Sequence, residues 1–299
     1  MKIKDGICGL LIGDALGVPV EFTNRGELEK NPVTDMRGYG TYNMPKGTWS
    51  DDTSMTLATM ASIIEKKTID YWDILNEFRM FAYEGKYCQE RCFDYGITTI
   101  NAIDRFDSGT PPLQCGLDGE RDNGNGSLMR ILPLAFIPDI TYGEIENVSA
   151  LTHAHPRSKI ACVLYIEMAK SMLENNLEIS EHIFNACDKI KKYYGCSSEL
   201  EHFKRIFEND LDEVDAKGYV ISTFESVVHC LLTTSSYREA VLKAVNLGRD
   251  TDTVGAICGG LAGLYYGFDE IPAEWLDEVS QIDYVYNLCD EFGKVCLEM

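Results

Sequence analysis

An all-α fold is what the sequence predicts, and three observations predict it. Apolar residues recur at helical spacing, Ser-x-x-Glu punctuation precedes several of those runs, and alternating strand-like stretches are hard to find. The N-terminal MKIKDGICGLLIGDALG has two lysines and a short apolar stretch, as a leader peptide would. Asp5, Asp14 and the glycines at 9, 13 and 17 interrupt that pattern, so it reads as a first helix. Residues 54–65, SMTLATMASIIE, and 158–173, SKIACVLYIEMAKSML, read as buried helices. Capping boxes are expected from Ser198 to Glu201, Ser222 to Glu225 and Ser236 to Glu239, where the hydroxyl and the acid each satisfy a free N–H of the first turn. Behind them, Leu200, Phe203, Ile206 and Phe207 form one apolar face, and Val241, Ala244 and Val245 another that Gly248 stops. Glycines repeat at i, i+4, i+8 in Gly9–Gly13–Gly17 and in Gly255–Gly259–Gly263; glycine weakens a helix, so each stripe predicts close backbone approach to another helix. Loops are expected at 31–49 and 105–126. No composition shift marks a boundary, and residues 1–299 are read as a single domain.

The formal net charge is −21, from 48 acids against 27 bases, and no basic cluster exceeds two residues, as in Lys191-Lys192. Binding a nucleic-acid backbone needs clustered Lys and Arg to release counterions, so direct nucleic-acid binding is excluded as an expectation. No apolar run approaches the roughly 20 residues of a membrane span. A cytoplasmic monomer is expected. Eleven cysteines show no repeated spacing. Cys88 and Cys92, four apart, suit neither a redox CxxC nor a zinc knuckle, while Cys162, Cys230 and Cys258 sit in apolar helical patterns as small core residues.

The chemistry concentrates in two short stretches. GTWSDDTSM (47–55) sets Asp51 and Asp52 between Ser50 and Thr53, directly before an apolar helix. One such residue suffices as a helix cap, and two adjacent like charges repel unless a cation lies between them. GRDTDTVGAICGG (248–260) repeats the theme with Asp250, Thr251, Asp252 and Thr253, and in an extended segment Asp250 and Asp252 project to one side. Together Ser50, Asp51, Asp52, Asp250, Asp252 and Thr253 offer hard oxygen ligands of the kind Mg²⁺ or Mn²⁺ prefers, with four negative charges to balance two divalent ions. GNGSLMR (124–130) supplies Gly-rich backbone whose free N–H groups suit a diphosphate, and no Walker loop is present. His153 and His155 are two apart, which does not suit two zinc ligands on one helical face.

In order and spacing, GDALGVPVEF (13–22), GTWSDDTSM, GNGSLMR, THAHP (152–156) and GRDTDTVGAICGGLAG (248–263) resemble the ADP-ribosylglycohydrolase family over residues 6–268. The resemblance implies an all-α orthogonal bundle with a binuclear Mg/Mn centre in a cleft that binds ADP-ribose. It implies metal ligation by Ser50, Asp51, Asp52, Asp250, Asp252 and Thr253, and a catalytic or gating role for Glu21. It implies ADP-ribose contacts from Asn123, Gly124, Asn125, Gly126, Ser127 and His153. CFDYG (92–96) is similar to a segment of arginine-directed members, which implies an acid/base or leaving-group role for Asp94; the chain departs from that segment at Ile97, where Asn is common. The expected activity is hydrolysis of the bond between ADP-ribose and a protein side chain, arginine first, serine or a free ADP-ribose ester next. A non-catalytic relative and a two-metal phosphohydrolase are the competing classes; retention of both acidic clusters and Glu21 argues against the first, and the surrounding motifs against the second.

Overall fold

A computed structural model describes residues 2–299. Among them, helices dominate, and pairing of β type is limited to isolated bridges such as Gly124 with Tyr219 and Leu117 with His153. The all-α expectation holds. Helix α1 (Ile3–Gly17) is followed by the short α2 (Arg25–Leu28), then α3 (Asp51–Lys66), α4 (Tyr71–Glu84) and α5 (Ile97–Asp107). After a loop come α6 (Tyr142–Ala150), α7 (Pro156–Glu174), α8 (Ile179–Tyr194) and the one-turn α9 (Lys204–Glu208). The chain closes with α10 (Val220–Leu232), α11 (Tyr237–Asn246), α12 (Thr251–Tyr266), the short α13 (Ala273–Leu276) and α14 (Ile282–Glu298).

The two glycine stripes turn out to face each other. α1 lies along α12 as the most intimate helix pair of the fold. A Cβ on Gly9 would sit 2.4 Å from the Gly259 carbonyl oxygen, and one on Gly13 would sit 2.0 Å from that of Gly255. Gly17 continues the contact, with the Cα of Asp252 2.3 Å from where its Cβ would be. Bare backbone therefore sets the separation of the two helices, and it does so next to Asp14 and Asp252. Around this pair the core is almost entirely apolar, with Leu10, Leu11, Ile257 and Leu261 fully buried. The cysteines are free, and Cys162, Cys230 and Cys258 are buried in α7, α10 and α12 as their helical pattern predicts.

The caps are only partly as expected. Ser236 caps α11, its Oγ accepting from the Glu239 N–H at 3.2 Å, while the Glu239 carboxylate returns to Ser235 at 2.9 Å. Ser197, rather than Ser198, caps the 3₁₀ turn Ser198–Phe203. Ser222 is not a cap: α10 already begins at Val220, and Glu225 is turned to Arg205 at 2.5 Å. The pairing of an exposed arginine with that acid outcompetes the local box.

Candidate active site and metal centre

Two helix starts and one helix end converge on the acidic residues. Ser50 is the N-cap of α3 and its Oγ accepts from the Asp52 N–H, so the capping chemistry of the SDDT stretch is real. Asp14, at the end of α1, adds a second cap from outside the helix. Its carboxylate accepts from the Ser50 N–H at 2.9 Å, the Thr53 N–H at 3.0 Å and the Thr53 hydroxyl at 2.6 Å. Asp252 lies in the first turn of α12 and Asp250 at its N-cap, whose carboxylate takes no cap bond from that helix. The segment 250–252 is thus a helix start and not the extended run expected. The two acids still meet, because the entry turn brings both around the helix N-terminus. The positive ends of α3 and α12 offset part of the charge gathered there.

Carboxylate oxygens of Asp14, Asp52 and Asp252 lie within 4.8 Å of one another, as do those of Glu21, Asp250 and Asp252, so Asp252 belongs to both groups. All of these are buried except Asp250, which is half-buried. Burial raises every one of these carboxyls, and at Glu21, Asp52, Asp250 and Asp252 like charges add to it. Asp52 is pushed well up by burial and then by Asp14 and Asp250; Asp252 by burial and then by Glu21 and Asp52. Burial lifts Asp14 to about 6 against the hydrogen bonds it accepts. Burial and then the Asp94 charge lift Glu21 to about 9. Asp51 is raised by burial, then by Asp94 and Asp52. A cluster so costly to ionise is stabilised by cations.

The donor set fits hard divalent ions. Asp52 Oδ2 accepts from the Ser50 hydroxyl at 2.8 Å, and Asp252 Oδ1 from the Thr253 N–H at 2.9 Å. The second oxygen of each, Asp52 Oδ1 and Asp252 Oδ2, is buried with no hydrogen-bond partner among the described residues. Buried polar atoms are ordinarily satisfied, and these two face a set of oxygens with no His or Cys in it. Asp14, by contrast, has spent its oxygens on Ser50 and Thr53. It orients α3 against α1.

Beside these acids opens a cleft of about 410 Å³ whose lining includes the acids Glu21, Asp51, Asp94 and Asp250 and, from the Gly-rich turn and its neighbour, Gly124, Asn125, Gly126 and His153. Asp94 sits in the loop before α5 with φ +51°. Burial raises it, while hydrogen bonds with Tyr42 and Glu21 pull it down. Tyr42 donates its hydroxyl to Glu21 Oε2 at 2.5 Å and packs on Phe93 with ring centroids 4.8 Å apart.

A model of the ADP-ribosylglycohydrolase family matches residues 1–298. The chain belongs to the ADP-ribosylglycohydrolase family. Its members are hydrolytic enzymes, and the relatives agree. An ADP-ribosylarginine hydrolase Tri1 of Serratia proteamaculans is 30% identical over 97% of this chain and 78% of its own. An ADP-ribosyl-[dinitrogen reductase] glycohydrolase of Rhodospirillum rubrum is 32% identical over 91% of this chain and 87% of its own. A solved structure titled ADP-ribosylglycohydrolase-related protein complex superposes with a TM-score of 0.84 at 25% identity, covering 99% of this chain and 98% of that one.

Within this ADP-ribosylglycohydrolase cleft the expected ligand-contacting residues divide in two. Gly124, Asn125, Gly126 and His153 line it. Asn123 and Ser127 face inward: Asn123 Oδ1 accepts from Ser158 at 3.1 Å, and the Ser127 hydroxyl accepts from Ser149 at 2.9 Å. Asn125 ties the two halves together, donating Nδ2 to Asp250 Oδ2 at 2.6 Å and to Thr223 at 2.9 Å. The His153 ring packs against the Gly-rich turn, where a Cβ on Gly126 would lie 2.9 Å from it. Burial lowers His153 to about 3, so the imidazole is neutral at ordinary pH. Among the predicted metal residues, Asp52, Asp250 and Asp252 fall in the two carboxylate groups, while Ser50, Asp51 and Thr253 flank them. Asp14 escaped the sequence reading. An acid between Gly13 and Ala15 in a buried glycine-faced helix was the available signal.

Proposed function

We propose that this chain is a divalent-metal-dependent hydrolase that releases ADP-ribose from modified arginine side chains of proteins. The observation that carries the arginine reading is the pair of carboxylates, Asp94 and Glu21, at the cleft above the buried acids. The name of the Serratia relative points the same way. A guanidinium is cationic at any ordinary pH, and a carboxylate beside it holds it in place; a serine ether has no such charge. Asp51, Asp52, Asp250 and Asp252, with the oxygens of Ser50 and Thr253, would hold two Mg²⁺ or Mn²⁺ ions, and Asp252 belongs to both carboxylate groups. Ions held there would supply Lewis acidity and a template for the ribose hydroxyls.

In hydrolysis, a water oxygen bonds to the anomeric carbon and the C–N bond breaks with its electron pair on nitrogen. The water proton passes to that nitrogen, releasing arginine as its guanidinium. Glu21 or Asp94 carries that proton. Asn125 keeps Asp250 in register with the Gly-rich turn, whose residues Gly124 and Gly126 line the cleft. Residues 1–299 act on this reading as one domain, a cytoplasmic monomer whose partner is the ADP-ribosylated protein. The test is a side-by-side rate comparison on arginine- and serine-linked ADP-ribosyl peptides. Wild type is expected to favour arginine, and Asp94→Asn to slow arginine cleavage selectively, by about 10²-fold. Faster serine cleavage by the wild type, or equal losses on both substrates, would remove the arginine assignment.

A further inference from the structure

The cleft has a charge problem that its acids create. Glu21, Asp51, Asp94 and Asp250 line it, and a diphosphate ligand brings two further negative charges into the same space. Among the described residues, the basic side chains lining it are Lys217 and Arg249. Both are at the rim, with about half of each side chain exposed, 55% and 51% respectively. Both are held by one acid: Asp215 pairs with the Lys217 ammonium through Oδ2 and with Arg249 Nε through Oδ1, the latter at 2.8 Å.

The backbone under these cations is built to the site. The Gly218 carbonyl accepts from the Asn125 N–H at 3.0 Å and the Ala216 carbonyl from the Asp250 N–H at 3.1 Å, so the segment carrying Lys217 is stitched to the Gly-rich turn and to the metal-side acid at once. Arg249 is clamped by the 22–23 segment, its carbonyl accepting from the Phe22 N–H at 2.6 Å and its N–H donating to the Thr23 carbonyl at 2.8 Å. That clamp holds Arg249 at φ +67°, a left-handed conformation that strains any residue with a Cβ and that glycine adopts freely.

We infer that Lys217 and Arg249 form a cationic rim that grips the diphosphate of the bound nucleotide, with Asp215 as an internal competitor that holds both cations until the ligand takes them. This rests on the ADP-ribose reading above and adds to it the residues that recognise the anion. When the diphosphate enters, both cations exchange Asp215 for phosphate oxygens, a charge-assisted contact that is strongest for Arg, whose planar fork matches two oxygens.

The test is titration of ADP-ribose into the Mg²⁺-loaded full chain at low and high salt, with thermal melts of each variant. Lys217→Ala and Arg249→Gly are each expected to weaken ADP-ribose binding about tenfold. Asp215→Asn is expected to tighten it a few-fold, and the loss of affinity that added salt causes in the wild type is expected to shrink in the Lys217→Ala/Arg249→Ala double variant. Arg249→Gly is expected to melt above Arg249→Ala, because only glycine relieves the strained backbone. Variants that bind within about twofold of wild type would overturn the cationic rim and leave the ADP-ribose reading standing. A wild type that does not bind ADP-ribose would overturn both.

Discussion

Asp52 and Asp252 each satisfy one carboxylate oxygen within the protein and leave the other buried and unpartnered among the described residues. Substituting either by Asn keeps the volume and removes the charge. Isothermal titration with Mg²⁺ or Mn²⁺ is expected to register at least about a tenfold loss of affinity in both variants; unchanged binding would make these groups helix caps and nothing more. The sign of the pH dependence follows from the raised carboxyls. Asp14, at about 6, and Glu21, at about 9, bind protons more tightly in the folded chain than in the unfolded one. Their contribution to metal-free stability is therefore fully present below the ordinary carboxylate pKa and is lost as pH rises from there, up to about 6 for Asp14 and about 9 for Glu21. Melts in chelator are expected to fall from about pH 5 to about pH 9, and Mg²⁺ is expected to offset the fall, because a cation compensates the repulsion among the deprotonated carboxylates. At this scale Asp51, Asp52, Asp250 and Asp252 were legible because acids and hydroxyls sat side by side in short motifs. Asp14 was not, since its partners Ser50 and Thr53 are 36 and 39 residues away. Lys217 and Arg249 were equally silent: a lone Lys, and an Arg whose strained backbone no sequence displays.

Helices α1 and α12 are held apart by backbone alone, so a single methyl group is decisive there. A Cβ at Gly13 would lie 2.0 Å from the Gly255 carbonyl oxygen, and a backbone atom cannot swing away as a side chain can. Gly13→Ala is expected to cost about 3 kcal/mol or more in urea unfolding, the upper end for overpacking, and to weaken metal binding through the displaced Asp14 and Asp252. Gly26→Ala in α2 is the control, because a Cβ there meets nothing within 4 Å; its stability is expected to stay level or rise slightly. Loss of stability in both variants alike would contradict the close-contact account. The glycine spacing was legible as a call for close packing, although each stripe's partner, the other stripe, only tertiary structure reveals. The apolar periodicity likewise marked the helices at 51–66 and 156–174. Ser222 misled because a capping pattern is local, and here α10 had already begun two residues earlier, with Glu225 drawn away by Arg205.

At the scale of the molecule, a chain of net charge −21 gathers acids from α3, the start of α12 and the loops at 21 and 94 around one cleft, with Asp14 of α1 buried nearby. No helix among the described residues is long and apolar enough to cross a membrane. The family was legible because its five motifs lie in order along the chain, and the match over residues 1–298 extends that resemblance to nearly the whole length. What no motif conveys is the convergence itself: glycine contacts bring the end of α1 to the start of α12, and Asp14 locks α3 to α1. On the function proposed above, this convergence makes a cation-dependent glycohydrolase site. The most direct measurement is the rate at which free ADP-ribose is released from an arginine-linked ADP-ribosyl peptide by the full chain, first stripped with chelator and then titrated with Mg²⁺ or Mn²⁺. Release that is absent in chelator and restored by the divalent ion is the predicted result. Release that proceeds at the same rate without the ion, or no release at any ion concentration, would contradict it.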